Sequence, residues 1–139
     1  MPADGGPVRN LTTAWTLDPG PPRWSGDGRT IYFTADARGN AHLFAVQAAG
    51  GEVRQVTHGE RQLRGFTLSR DGHTLAYTAG DVTHPAELYV APLAARGPGA
   101  ERRLTSYDSL LAQVALVPAD TFWYASVGGL RIPRTADGP

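Results

Sequence analysis

Cysteine and lysine are both missing from this 139-residue chain, and methionine occurs once. Without cysteine there is no disulfide, no thiolate ligand and no cysteine nucleophile. Stability must therefore come from packing, and any metal site from His, Asp and Glu. The 13 basic residues, all arginine, are matched by 13 acidic ones, so no net field draws nucleic acid or an anionic membrane. No run of about 18 apolar residues occurs, and the opening "MPADGGPVRN" lacks the charged start and apolar stretch of a secretory signal. The cytoplasm is the expected location, with no nucleic-acid and no membrane partner. Asn10-Leu11-Thr12 matches a glycosylation acceptor, but an unexported chain would not meet the machinery. Uninterrupted helical pattern is scarce too, because 17 glycines and 11 prolines break almost every window long enough for three turns.

What the chain has instead is repetition. "WSGDGRTIYF" at 24–33 returns as "LSRDGHTLAY" at 68–77, with Ser25, Asp27, Gly28 and Thr30 recurring as Ser69, Asp71, Gly72 and Thr74, 44 positions on. "GGPVRNLT" at 5–12 returns as "GGEVRQVT" at 50–57 and more loosely as "GPGAERRLT" at 97–105; "HLFAV" at 42–46 returns as "ELYVA" at 87–91. A period near 45 residues is that of four-stranded propeller blades. Thr30–Thr34 and Thr74–Thr78 are rich in β-branched and aromatic residues, as a pleated strand requires. "HLFAV" and "ELYVA" are apolar at successive positions, so both of their faces must be covered, as stacked sheets cover them. In Ser-x-Asp-Gly the glycine takes positive φ and the aspartate bonds to the turn backbone, which makes the motif a strand-reversing corner rather than a set of metal ligands or catalytic carboxylates.

The resulting architecture is all-β: a partial β-propeller of two four-stranded antiparallel blades with incomplete flanking blades. Strands are predicted near 21–25, 29–35, 41–47 and 52–57, then 63–69, 73–79, 86–92 and 101–105. Residues 1–19 read as a strand of a preceding blade (5–12) and a linker, 20–59 and 60–107 as the two blades, and 108–139 as an incomplete blade and tail. Within that last part, 106–117 has helical as well as strand periodicity and is read as strand over 110–117, with a further strand over 120–127.

The Ser-x-Asp-Gly hairpin, the Leu-[Phe/Tyr] step and the closing Leu-Thr resemble the repeat of Tol-type propellers and of the prolyl oligopeptidase family of serine peptidases. "RRLTSYDSLLAQVALVPADTFWYASVGGLRI" at 102–132 is similar to the junction where acylaminoacyl-peptidase-like members pass from their last blades to an α/β-hydrolase domain. The resemblance implies a propeller that gates peptide access to a serine hydrolase. It departs from the family at the entry hairpin, where Gly128-Gly129-Leu130-Arg131-Ile132 stands in place of Asp-Gly and "PRTADGP" follows instead of a Gly-Trp step, so the hydrolase domain is expected to be absent from this chain. No serine stands in Gly-x-Ser-x-Gly: Arg23, Thr67, Leu104, Tyr107 and Tyr124 precede Ser25, Ser69, Ser106, Ser109 and Ser126 by two. Ser126 has only the trailing Gly128.

The chain by itself is therefore expected to be no enzyme: no catalytic residue, cofactor or metal is assigned, and the substrate-binding residues remain unassigned. His42, His58, His73 and His84 lack His-x-His or His-x-x-x-His spacing. Arg61, Arg64 and Arg70 are read as loop arginines, with a peptide carboxylate in a central channel as the functional alternative. Incomplete blades expose faces and strand edges, so self-association is expected, with 5–12 able to complete another chain's sheet. A stand-alone Tol-type protein-binding module is the rival reading.

Overall fold

The computed structural model describes residues 5–94, 97–107, 109, 120–129 and 131–136. Four antiparallel strands make the first blade: β1 (Arg23–Trp24), β2 (Thr30–Ala37), β3 (Asn40–Gln47) and β4 (Arg54–Gln55), hydrogen-bonded in that order. The second blade repeats the scheme with β5 (Gln62–Leu68), β6 (Thr74–Gly80) and β7 (Glu87–Ala94). β8 (Gly97–Pro98) folds back on the end of β7, and β9 (Arg102–Arg103) closes the blade. The blades are stitched at one end by a parallel pairing of Ala41 with Gln62. A separate hairpin follows, β10 (Asp120–Ala125) with β11 (Arg131–Ala136). The all-β reading and the propeller architecture hold, while the expectation for 110–117 lies outside the described residues.

Alternation decides the core. Tyr32, Leu43, Ala45 and Val56 of the first blade meet Leu63, Leu75, Tyr77, Ala79 and Leu93 of the second in one buried cluster between the sheets. The opposite face of the first blade carries Phe33, Ala35, Phe44 and Val46. β3 is thus buried on both sides, which is why its sequence is apolar at successive positions. β2 and β3 are joined by a two-residue turn in which Arg38 has φ 55° and Gly39 φ 84°, the twist a tight antiparallel reversal favours.

The outermost strands are shorter than the sequence suggests, two residues each in β4 and β9, and β1 is equally short. Residues 5–12, read above as a strand, form none. Asn10 Oδ1 accepts from the amide of Thr12 at 2.8 Å and from its hydroxyl at 3.0 Å, and the Trp15 amide donates to the Thr12 carbonyl at 3.0 Å. A side-chain acceptor two residues back turns the backbone instead of extending it. The turned segment lays Leu11, Trp15 and Leu17 over the outer face of the first blade and is tied down where Arg9 Nη2 donates to the Ala48 carbonyl at 2.7 Å. The face that a neighbouring blade would cover is covered by the chain's own N-terminal part.

Candidate functional site

The twin corners have the same geometry to within a few tenths of an ångström. In the first, the Ser25 hydroxyl donates to Asp27 Oδ1 at 2.6 Å, the Arg29 amide donates to the same oxygen at 3.0 Å, and the Thr30 amide donates to Ser25 Oγ at 2.9 Å. In the second, Ser69 donates to Asp71 at 2.5 Å, His73 N–H to Asp71 at 3.0 Å and Thr74 N–H to Ser69 Oγ at 2.9 Å. Gly28 and Gly72 sit at φ 68° and 73°, where a side chain would be strained. Hydroxyl donation, reinforced by the amide bond, holds both carboxyls below the usual aspartate range. These aspartates build turns. The corners also touch, because a Cβ on Gly26 would stand 2.4 Å from the Arg70 carbonyl oxygen.

A second repeated device explains the Val-Thr and Leu-Thr pairs. Val56 N–H donates to the Leu43 carbonyl at 2.7 Å while Thr57 Oγ1 accepts from Leu43 N–H at 2.9 Å. Leu104 N–H and Thr105 Oγ1 do the same to Leu88, at 2.7 and 2.9 Å. Both polar backbone groups of the third strand are thereby satisfied by a dipeptide that forms little regular strand, as burial demands. In the second blade the Thr105 hydroxyl and the Tyr107 amide both donate to the buried carboxyl of Glu87. Sequence reading missed Glu87 as a structural hub; its signal was a carboxylate opening an otherwise apolar strand.

A third device joins connection to blade. Each blade presents a directly opposed aromatic pair, Phe33 with Phe44 and Tyr77 with Tyr89. Trp15 packs edge-on against Phe33 and Phe44, centroids 5.2 and 5.1 Å away. In the second blade the guanidinium of Arg61 takes that place, 5.4 Å from each tyrosine ring. Arg61 also makes a forked ion pair with Glu101, at 2.8 and 2.6 Å. That pair raises the arginine's pKa and lowers the glutamate's, its hydrogen bonds outweighing partial burial in both. Arg61 is neither a solvated loop residue nor a channel cation: its fork is filled from within the blade. Arg64 is the exposed residue at a bulge between Leu63 and Gly65 in β5, and Arg70 is exposed at the second corner. The structure brings the three arginines to no common site.

The histidines are dispersed. His58 and His73 are exposed or nearly so, and His84 is a loop residue whose Nδ1 lies 2.9 Å from Asp81 Oδ2. His42, the repeat counterpart of Glu87, is 6% exposed, and its Nδ1 has no hydrogen-bond partner among the described residues. Burial, and then the charges of His58 and Arg61, lower its pKa. A base depressed by folding is neutral in the folded chain and binds its proton more readily once unfolded, so stability contributed by neutral His42 falls as pH drops below about 6.5. We expect the thermal midpoint to decline between pH 7 and pH 5, above the window of Asp27, Asp71 and Glu101, and the slope to flatten in His42→Gln. An unchanged slope in that variant would rule His42 out.

Ser126 follows β10 directly, and its carbonyl accepts from the Gly129 amide at 3.1 Å across the turn into β11. A nucleophile elbow leads from strand into an α-helix; Ser126 leads through the single 3-10 turn Val127–Gly129 back into the hairpin partner β11. Among the described residues no group of three or more His, Asp or Glu has the arrangement of a metal site, and no helix is long and apolar enough to cross a membrane.

Two stacked four-stranded sheets, the paired corners and the closing Thr pins together define a piece of a β-propeller. Its likeness among known proteins lies with the propeller portion of acylaminoacyl peptidases, in the prolyl oligopeptidase family. The acylaminoacyl peptidase of Pyrococcus horikoshii superposes with TM-score 0.70 at 24% identity over 91% of this chain and 18% of its own. A structure of acylaminoacyl peptidase in complex with Z-Gly-Gly-Phe-chloromethyl ketone gives TM-score 0.70 and 25% identity, over 92% of this chain and 19% of that one. A putative TolB from Agrobacterium tumefaciens is matched at TM-score 0.51 and 23% identity, over 60% of this chain and 32% of that one. By sequence, dipeptidyl-peptidase 5 of Porphyromonas endodontalis is 34% identical over 82 residues, 59% of this chain and 12% of that protein. The uncharacterized peptidase YuxL of Bacillus subtilis is 38% identical over 58 residues, 41% of this chain and 9% of that protein. No family model matches. The chain thus spans about an eighth or less of the curated relatives and under a fifth of the acylaminoacyl peptidase structures.

Proposed function

We propose that this chain is a non-catalytic propeller segment of an acylaminoacyl-peptidase-like architecture, in which the blades restrict which peptides reach a serine hydrolase. The observation that carries the reading is the fit of 91% of this chain onto 18% of a peptidase chain, together with the lack of any Gly-x-Ser-x-Gly in the sequence. A segment without nucleophile, base and oxyanion donors accelerates no acyl transfer. The pure chain is expected to leave N-acetyl-alanine p-nitroanilide and the matching ester unhydrolysed above background. Turnover that disappears in Ser126→Ala would overturn the proposal.

The TolB likeness favours one alternative, a stand-alone propeller module that binds protein. The reading frame beyond Pro139 discriminates. Gly-x-Ser-x-Gly followed by Asp and His supports the peptidase, and further blades support the binding module.

For either reading we propose self-association of the 139-residue chain. Leu104, Tyr107, Phe122, Trp123 and Tyr124 are each 43–47% exposed, and large apolar groups left in water favour a partner surface. Light scattering at micromolar concentration should give a mass above the monomer's, and a monodisperse monomer would exclude it.

A further inference from the structure

Between the two corners lies an open cleft of about 720 Å³ that none of the roles above uses. That volume is in the range of small-molecule sites. The first blade lines it with Arg29, Arg54 and Tyr32, and the second with Asp71 and Leu93. Neither arginine side chain makes a hydrogen bond or ion pair among the described residues. This contrasts with Arg61, whose fork is filled by Glu101. Two unfilled guanidiniums, one from the corner and one from the outermost strand β4, offer planar forks suited to a carboxylate.

The same cleft contains Asp27 and Asp71. Each commits Oδ1 to its own turn, which leaves Oδ2 as an acceptor. Two fixed carboxylates beside two guanidiniums make the cleft neutral overall and divided in sign. A polyanion would meet the aspartates and a polycation the arginines, whereas a small molecule carrying one charge of each sign satisfies both. Ala94, exposed at the end of β7, adds a small apolar surface to the lining.

We propose that the cleft between the twin corners binds a small zwitterion, a free α-amino acid or a short peptide with both ends unblocked. Its carboxylate lies on Arg29 and Arg54, its ammonium on Asp27 and Asp71, and an aliphatic side chain against Ala94. The inference stands apart from the gating role, because the full 139-residue chain carries the whole cleft and needs no hydrolase to fill it.

The probe is glycyl-leucine, titrated into the isotope-labelled chain while the backbone amides of Gly72 and His73 are followed. Saturable shifts are expected, with Kd on the order of 1 mM. The C-terminal amide and the N-acetyl derivative should each bind about tenfold more weakly, as loss of a charge-assisted contact implies. Arg54→Gln should weaken glycyl-leucine by a similar factor at an unchanged melting temperature. Arg29→Gln, at an exposed position, is the second test should the first variant misfold. Equal shifts from the dipeptide and its amide, no saturation on the order of 10 mM, or wild-type binding by both folded variants would overturn the proposal.

Discussion

Leu75→Ala is expected to lower the unfolding free energy by about 3 kcal/mol, within the usual range for removing a buried leucine. Leu75 has no exposed surface and belongs to the cluster formed by both blades. That cluster includes Tyr32 and Leu43 of the first blade as well as residues of its own sheet, so loss of the leucine side chain opens a cavity in a core to which both contribute. Both blades should therefore weaken together. In urea, one transition monitored by tyrosine and tryptophan signals should move to lower denaturant with its slope retained. Of the three tryptophans, Trp15 and Trp24 report on the first blade, remote in sequence from position 75, and Trp123→Phe removes the signal of the separate hairpin. A change below about 1 kcal/mol, or a tryptophan transition that stays in place while the tyrosine one moves, would show that the blades do not share a core.

Gly26→Ala carries the second large effect, and its cause is different. The added methyl would stand 2.4 Å from a carbonyl oxygen of the neighbouring corner. Backbone cannot swing away as a side chain would, so one corner must shift and open the packing beneath it. We expect a loss of about 2–3 kcal/mol, as for overpacking in a filled interior. Gly28→Ala is the control: nothing lies within 4 Å of the place its methyl would take, but φ is 68°, so only local strain of about 1–2 kcal/mol is expected. If the two variants melt alike, the corners are not in contact.

The corners were legible because a hydroxyl, a carboxyl and a glycine at fixed offsets can form only a few turns, and their recurrence fixed the period. Thr57 and Thr105 were visible as echoes, although what they bond to was not. Their partners, Leu43 and Leu88, lie a hairpin away, and nothing local marks them. The pairing of Arg61 with Glu101 spans 40 positions, and the rings over which Arg61 lies, Tyr77 and Tyr89, are brought together by strand register. The N-terminal echo misled because Asn10 captures the nearest amide and turns a backbone whose residues otherwise repeat those of a closing strand. Outer strand lengths were overestimated because β-propensity describes a pleated, packed surface, and neither β4 nor β9 buries a residue.

Those two-residue outer strands, bearing Arg54, Arg102 and Arg103, bear on colloidal behaviour. A fibril grows by adding backbone to a long, flat, uncharged rim, and this rim is brief and cationic. Concentrated protein should accordingly fail to seed thioflavin-positive ribbons along these edges, and the rim should lose that protection when the arginines are replaced by valine.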